Sequence, residues 1–257
     1  MDLVYERRGS GEPLLLLHGL FGSWRNLRPL GQMLADKREV FLVDLRNHGD
    51  SPHDTQVGYG AMAADLLELT DQLDLRRVDL LGHSMGGKVA MEFAVRYPDR
   101  ARSLVVLDIS PAQSPPDHEG ILRALAAADP ASAGTREEID RRLQSEIPSP
   151  AVRQFLLTNL VRDGSGYRWR MNLEALRHSY ADLLAPVGND GAFEGPALFL
   201  RGARSTHLPD EDIPLVRRIF PHARIDTIAD AGHWVHVDAP GAVFEEVERF
   251  LQSPAGG

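Results

Sequence analysis

Apolar positions along this chain fall into two alternating kinds of stretch. Short runs of consecutive apolar residues lie at Pro13 to Leu17, Val40 to Val43, Val78 to Leu81, Arg102 to Ile109, Ala197 to Leu200 and Arg224 to Ile228. Four leucines in a row, Leu14 to Leu17, leave no polar face, which is the pattern of a strand buried on both sides in a parallel sheet. Between these runs the apolar residues take helical spacing. Examples are Trp24, Leu27, Leu30 and Leu34, then Met62 to Leu73 with Asp65, Glu68 and Asp71 as a solvated face, then Lys88 to Ala94, Pro209 to Phe220 and Pro240 to Leu251. Leu3 to Arg7 reads as a short leading strand. Strands alternating with helices predict an α/β fold, a mostly parallel sheet with helices on both faces. Functional residues are then expected beyond the carboxyl ends of the strands.

The alternation stops at Pro111. From there to about Asp190 the sequence predicts helices over Ile121 to Ala128, Arg136 to Ser145, Val152 to Leu160 and Leu173 to Leu184, with no buried strand. Asp163-Gly164-Ser165-Gly166 is expected as a turn between two of them. Residues 1–110 and 191–257 therefore read as one core domain and 111–190 as a helical cap inserted into it, lying over the strand ends or beside them. The tail Ser253 to Gly257 is expected to fray. The 257 residues suffice for one full-size α/β domain or two small ones.

The charge narrows the partners. With 37 acidic and 28 basic residues the formal charge is −9. That disfavours nucleic acid and anionic membrane surfaces. The absence of cysteine removes disulfides, thiolate catalysis and Cys-ligated metal sites. Met1 to Glu6 lacks the basic start and apolar core of a signal peptide, and no apolar run is long enough for a membrane span. A cytoplasmic protein, monomer or homodimer, is the expectation.

One turn carries the chemistry. The run Val78 to Leu81 ends in Gly82-His83-Ser84-Met85-Gly86-Gly87, and a helical pattern follows. A G-x-S-x-G between strand and helix is a nucleophile elbow, which lifts the serine oxygen above the sheet over a helix N-terminus. Serine is a weak nucleophile at neutral pH and needs an adjacent base. His233 follows Gly232 directly after the last strand, so it reaches the same sheet edge as Ser84. His83 is expected to be structural, and His236 either a neighbour of the site or exposed. The remaining histidines, His48, His53, His118, His178, His207 and His222, show no metal-ligand spacing, so neither metal nor cofactor is expected. An oxyanion hole needs two N–H groups. Met85 is the first candidate donor. The second comes from His18-Gly19-Leu20-Phe21 after the second strand, with Leu20 ahead of Phe21.

These motifs resemble the α/β-hydrolase superfamily over nearly the whole chain. His18 to Ser23, Asp44 to Ser51, Gly82 to Lys88 and Ala231 to His233 fall in its order and spacing. More narrowly, Lys88 after the glycine pair, Asp108-Ile109-Ser110-Pro111 and Tyr167 to Leu173 resemble the YbfF-type bacterial carboxylesterases and their animal relatives. The resemblance implies hydrolysis of carboxylic esters through an acyl-enzyme, with the cap as a lid, and the serine elbow, His233 and an apolar lid together lead us to expect small-molecule esters of short to medium acyl length. Phe155, Leu156, Leu160, Trp169 and Tyr180 are candidates to line it. Most of the superfamily carries its acid after the strand ending here at Leu200, but Ser205 stands in that loop, and a hydroxyl supplies no charge. Asp108, at the end of the strand expected beside the elbow strand, is the better acid. The narrower resemblance implies the same placement, with Ser205 left supporting it. Asp210 and Glu211 read instead as partners of the next helix dipole.

Fold does not fix reaction. A lyase like that of menaquinone synthesis would use the same groups with a polyanionic substrate held by Arg123, Arg168 and Arg170. Thioester, lactone and C–C bond hydrolysis are nearer alternatives. A slow-hydrolysing ligand-binding receptor is a different class.

Overall fold

The leucine run Leu14–Leu17 sits inside a parallel sheet, as its uniform apolarity requires. The computed structural model describes residues 1–188 and 191–252. The expected boundary at residue 190 and the tail 253–257 lie outside the described residues. The strands of the main sheet are β1 (Tyr5–Arg8), β2 (Glu12–Leu17), β3 (Arg38–Val43), β4 (Val78–His83), β5 (Ala101–Leu107), β8 (Ala197–Gly202) and β9 (Ala223–Ile228), with a separate pair, β6 (Leu160–Asp163) and β7 (Gly166–Trp169). The main sheet runs β1-β3-β2-β4-β5-β8-β9. Only β1 is antiparallel to its neighbour.

Alternation along the strands divides the core in two. Leu15, Leu17, Leu80, Leu104, Val106 and Phe199 pack on one face with α2 (Tyr59–Gln72), α3 (Met85–Arg96) and α9 (Ile213–Ile219). Leu14, Leu16, Leu81, Val105, Leu107, Leu198 and Leu200 pack on the other with α1 (Arg28–Leu34), the short α10 (Val235–Asp238) and α11 (Pro240–Gln252). Period-two side chains thus feed both layers from each strand. This is the α/β-hydrolase architecture expected from the chain.

Two expectations need correction. The segment between β5 and β8 holds α4 (Glu119–Ala127), α5 (Arg136–Leu143), α6 (Pro150–Leu157), α7 (Leu173–His178) and α8 (Tyr180–Leu184), but it is not wholly helical. Leu160 starts a strand instead of ending a helix. The turn Asp163 to Gly166 closes a β-hairpin, with Asp163 paired to Gly166 and Gly164 at φ 57°. A two-residue loop with glycine in the left-handed region is the favoured hairpin turn. The second correction is Asp65, which is not on a solvated face. It is buried and receives both Nε (2.5 Å) and Nη2 (2.7 Å) of Arg46.

Removing one partner of a buried pair strands the other charge. Asp65→Ala is therefore expected to cost ~3–5 kcal/mol in urea denaturation. A loss of ~1 kcal/mol or less, the range of exposed pairs, would contradict the burial.

Candidate active site

The glycines of the elbow make its turn possible. A Cβ on Gly82 would lie 2.1 Å from the Gly86 carbonyl oxygen, and one on Gly86 2.2 Å from that of Leu17. Ser84 between them takes φ 52°, ψ −121°, a strained conformation for a residue with a side chain. Its oxygen is thereby directed away from β4, and Met85 begins α3 with an N–H that has no partner within the helix.

Three side chains meet across the strand ends. The Ser84 hydroxyl lies 3.0 Å from His233 Nε2. His233 Nδ1 lies 2.8 Å from Asp108 Oδ2. Asp108 is fully buried and follows β5, which pairs with β4 in parallel as expected. It holds φ 56°, a region that aspartate tolerates better than most residues. The Gly202 N–H donates to its Oδ1 at 2.8 Å, and the Ser205 hydroxyl donates to Oδ2. Asp210 instead pairs with Arg201 at 2.6 Å on the exposed surface, and Glu211 is exposed.

The flanking groups complete the picture. Leu20 and Met85 both border a small cavity beside Ser84. Phe21 is buried at φ 61°, and its carbonyl accepts from Asn159 Nδ2 at 2.6 Å. His83 Nε2 bonds the His233 carbonyl at 2.9 Å, so it is structural yet touches the backbone of His233. His236 is buried edge-on against His83, with ring centroids 4.6 Å apart.

His207 is a residue that sequence reasoning missed. It stacks on His233 at 3.7 Å between centroids and 19° between planes. Its Nδ1 is 3.2 Å from Ser205 Oγ. The one available signal was its place in the same loop as Ser205. Asp108, His207 and His233 offer donor atoms within 4.8 Å of one another. Stacked imidazoles carry their lone pairs in near-parallel planes, which suits a hydrogen-bond relay better than convergence on one ion.

A cavity of about 460 Å³ opens at Ser84, with Phe155 and Leu156 in its wall. Tyr180 borders the smaller cavity. Leu160 and Trp169 line neither; Trp169 donates to the Leu125 carbonyl at 3.1 Å within the inserted segment.

A family model described as alpha/beta hydrolase fold matches residues 12–240. The chain belongs to the α/β-hydrolase family. This α/β-hydrolase is 40% identical to the sn-1-specific diacylglycerol lipase ABHD11 of Xenopus laevis, over 97% of its own length and 83% of the relative's. It is 36% identical to Esterase YbfF of Escherichia coli, over 96% and 95% of the two chains. A solved structure described as a marine microorganism esterase superposes with a TM-score of 0.94 at 40% identity, covering 97% and 99%. The hydrolase assignment and the narrower resemblance both stand. No helix among the described residues is long and apolar enough to cross a membrane.

Burial keeps the site's outer histidines neutral. It lowers His18 and His236 to about 4 and His48 to about 3, and holds His83 well below the usual range. His207 falls to about 4, chiefly from burial and then from the adjacent His233. In the unfolded chain these imidazoles titrate near 6.5. Between pH 6.5 and 4 these imidazoles therefore bind more protons in the unfolded state than in the hydrolase. This stabilisation is complete above about pH 6.5 and is lost as pH falls toward 4. At pH 5 the loss is on the order of 2 kcal/mol for a histidine lowered to about 4, such as His236. Tm is expected to fall between pH 7 and pH 5, and less steeply in His236→Phe. A Tm constant over that interval would contradict neutral burial.

Proposed function

We propose that the protein is a serine carboxylesterase acting on short- to medium-chain acyl esters through an acyl-enzyme. The observation that carries this reading is the unbroken hydrogen-bonded chain Ser84–His233–Asp108 opening into a largely apolar cavity. Ser84 Oγ attacks the ester carbonyl while His233 Nε2 takes its proton. Asp108 favours the Nδ1–H tautomer and stabilises the imidazolium that forms. The N–H groups of Met85 and Leu20 hold the oxyanion. His233 then gives its proton to the departing alkoxide, activates a water against the acyl-enzyme, and returns the proton to Ser84 as the acid leaves. Ser205 supports the acid, and the segment between β5 and β8 serves as the lid.

The relatives named esterase and lipase support ester hydrolysis. The surroundings weigh against the lyase alternative. Arg123, Arg168 and Arg170 pair with Glu146, Asp163 and Asp50 and line neither cavity at Ser84. A polyanionic substrate would find no arginine among those three.

The purified protein is expected to hydrolyse p-nitrophenyl acetate and butyrate, and Ser84→Ala to lose the activity. Asp108→Asn is expected to lower kcat by orders of magnitude, with ~10⁴ as the benchmark for such an acid. Asp210→Asn and Glu211→Gln are expected to stay near the wild-type rate. A near-normal Asp108→Asn with collapse of either other variant would overturn the assignment.

A further inference from the structure

Two cavities of unequal size meet at Ser84. The larger, about 460 Å³, is walled by His233, Trp234, Val152 and Phe155. The smaller, about 40 Å³, is walled by Met85, Ile109, Leu183 and Leu184. Ser84 and Leu20 border both, but His233 borders only the larger and Met85 only the smaller.

We propose that the acyl chain occupies the smaller cavity and the alcohol the larger, so that the substrate is an ester of a short acid with a bulky apolar alcohol. This rests on the esterase reading above and narrows it. The tetrahedral carbon carries four groups: Ser84 Oγ, the oxyanion, the acyl chain and the leaving oxygen. The leaving oxygen must come within hydrogen-bond reach of His233 Nε2 to receive its proton. The alcohol therefore departs on the His233 side, which is the larger cavity. With the oxyanion turned to the N–H groups of Leu20 and Met85, the acyl chain is left with the smaller cavity, toward Ile109, Leu183 and Leu184. At ~10–15 Å³ for each water-sized group, about 40 Å³ holds roughly three such groups, an acyl chain from acetyl to butyryl.

The small cavity is also held to its size. Lys88 Nζ donates to the carbonyls of Ala112 (2.7 Å) and Ala185 (2.9 Å), one at each end of the inserted segment. Tyr59 donates to the Leu183 carbonyl at 2.6 Å. These three bonds fasten the wall to the core helices α2 and α3. Across the larger cavity the wall is α6, where Val152 and Phe155 are only half-buried.

The test is a pair of ester series on the purified full chain. In the first, p-nitrophenyl esters run from acetate through butyrate to octanoate. In the second, acetates run from ethyl to 1-naphthyl. We expect kcat/KM to fall by about tenfold or more from butyrate to octanoate, a penalty typical of methylenes that a pocket excludes. It should hold or rise as the alcohol grows. Leu183→Ala and the half-buried Leu184→Ala should each raise the octanoate-to-acetate ratio, with Tm recorded to show that they fold. Val152→Trp should lower the 1-naphthyl-to-ethyl acetate ratio. Octanoate hydrolysed as well as acetate, or Val152→Trp depressing octanoate while the two leucine variants leave it unmoved, would reverse the assignment and overturn the proposal while leaving the esterase intact. An absence of any ester hydrolysis dependent on Ser84 would overturn both.

Discussion

The buried carboxylate of Asp108 is the interaction around which the site is built. It receives the Gly202 N–H, the Ser205 hydroxyl and His233 Nδ1, and it has no exposed surface. A carboxylate out of water is costly unless its lone pairs are met. Here the donors come from β8, from the loop after β8 and from the turn after β9. Meeting that demand fixes the ends of β8 and β9 against β5. The imidazole is held in place by this bond on one edge, by the stacked His207 on one face, and by His83 through its backbone carbonyl. The strained elbow then only has to present Ser84 to an imidazole already in position.

A second set of bonds joins the segment between β5 and β8 to the rest of the chain. Asn159 holds the Phe21 carbonyl, and Asn172 donates both its backbone N–H to the Asn47 carbonyl and its Nδ2 to Asn47 Oδ1. Asp44, buried after β3, accepts from Trp24 N and Asp50 N, which ties the loop after β2 to the loop after β3. His18 links the same two loops, with Nε2 accepting from the Leu45 N–H. The backbone that carries Leu20 is thus shaped by residues from several distant stretches. Pre-set N–H groups of this kind need no reorganisation when charge develops on a carbonyl oxygen.

What was legible in the sequence follows from range. The sheet was readable because strands buried on both faces need unbroken apolar runs, and β2, β3, β4, β5 and β8 have them. Ser84 and His233 were readable because a local turn motif and chain order place them. Asp108 required one step of topology, that β5 lies beside β4. The hairpin β6–β7 was not readable as strands, since most of its residues are half-buried or exposed and show no alternation. Only its turn carried a signal. Asp65 was misplaced because its partner Arg46 comes from a loop outside the helix. His207 was missed because a ring stack across 26 positions leaves no local trace.

The most direct measurement of the central claim is labelling by a serine-directed organophosphonate, with the adduct located by mass spectrometry. On the proposed mechanism Ser84, activated by His233 and faced by two N–H donors, attacks the phosphorus, and the resulting adduct occupies the geometry of the tetrahedral intermediate. The account predicts one adduct, on Ser84, formed rapidly in the wild type and far more slowly when Asp108 is replaced by asparagine. An adduct on Ser51 or Ser205, or labelling of Ser84 at an undiminished rate without the Asp108 carboxylate, would contradict it.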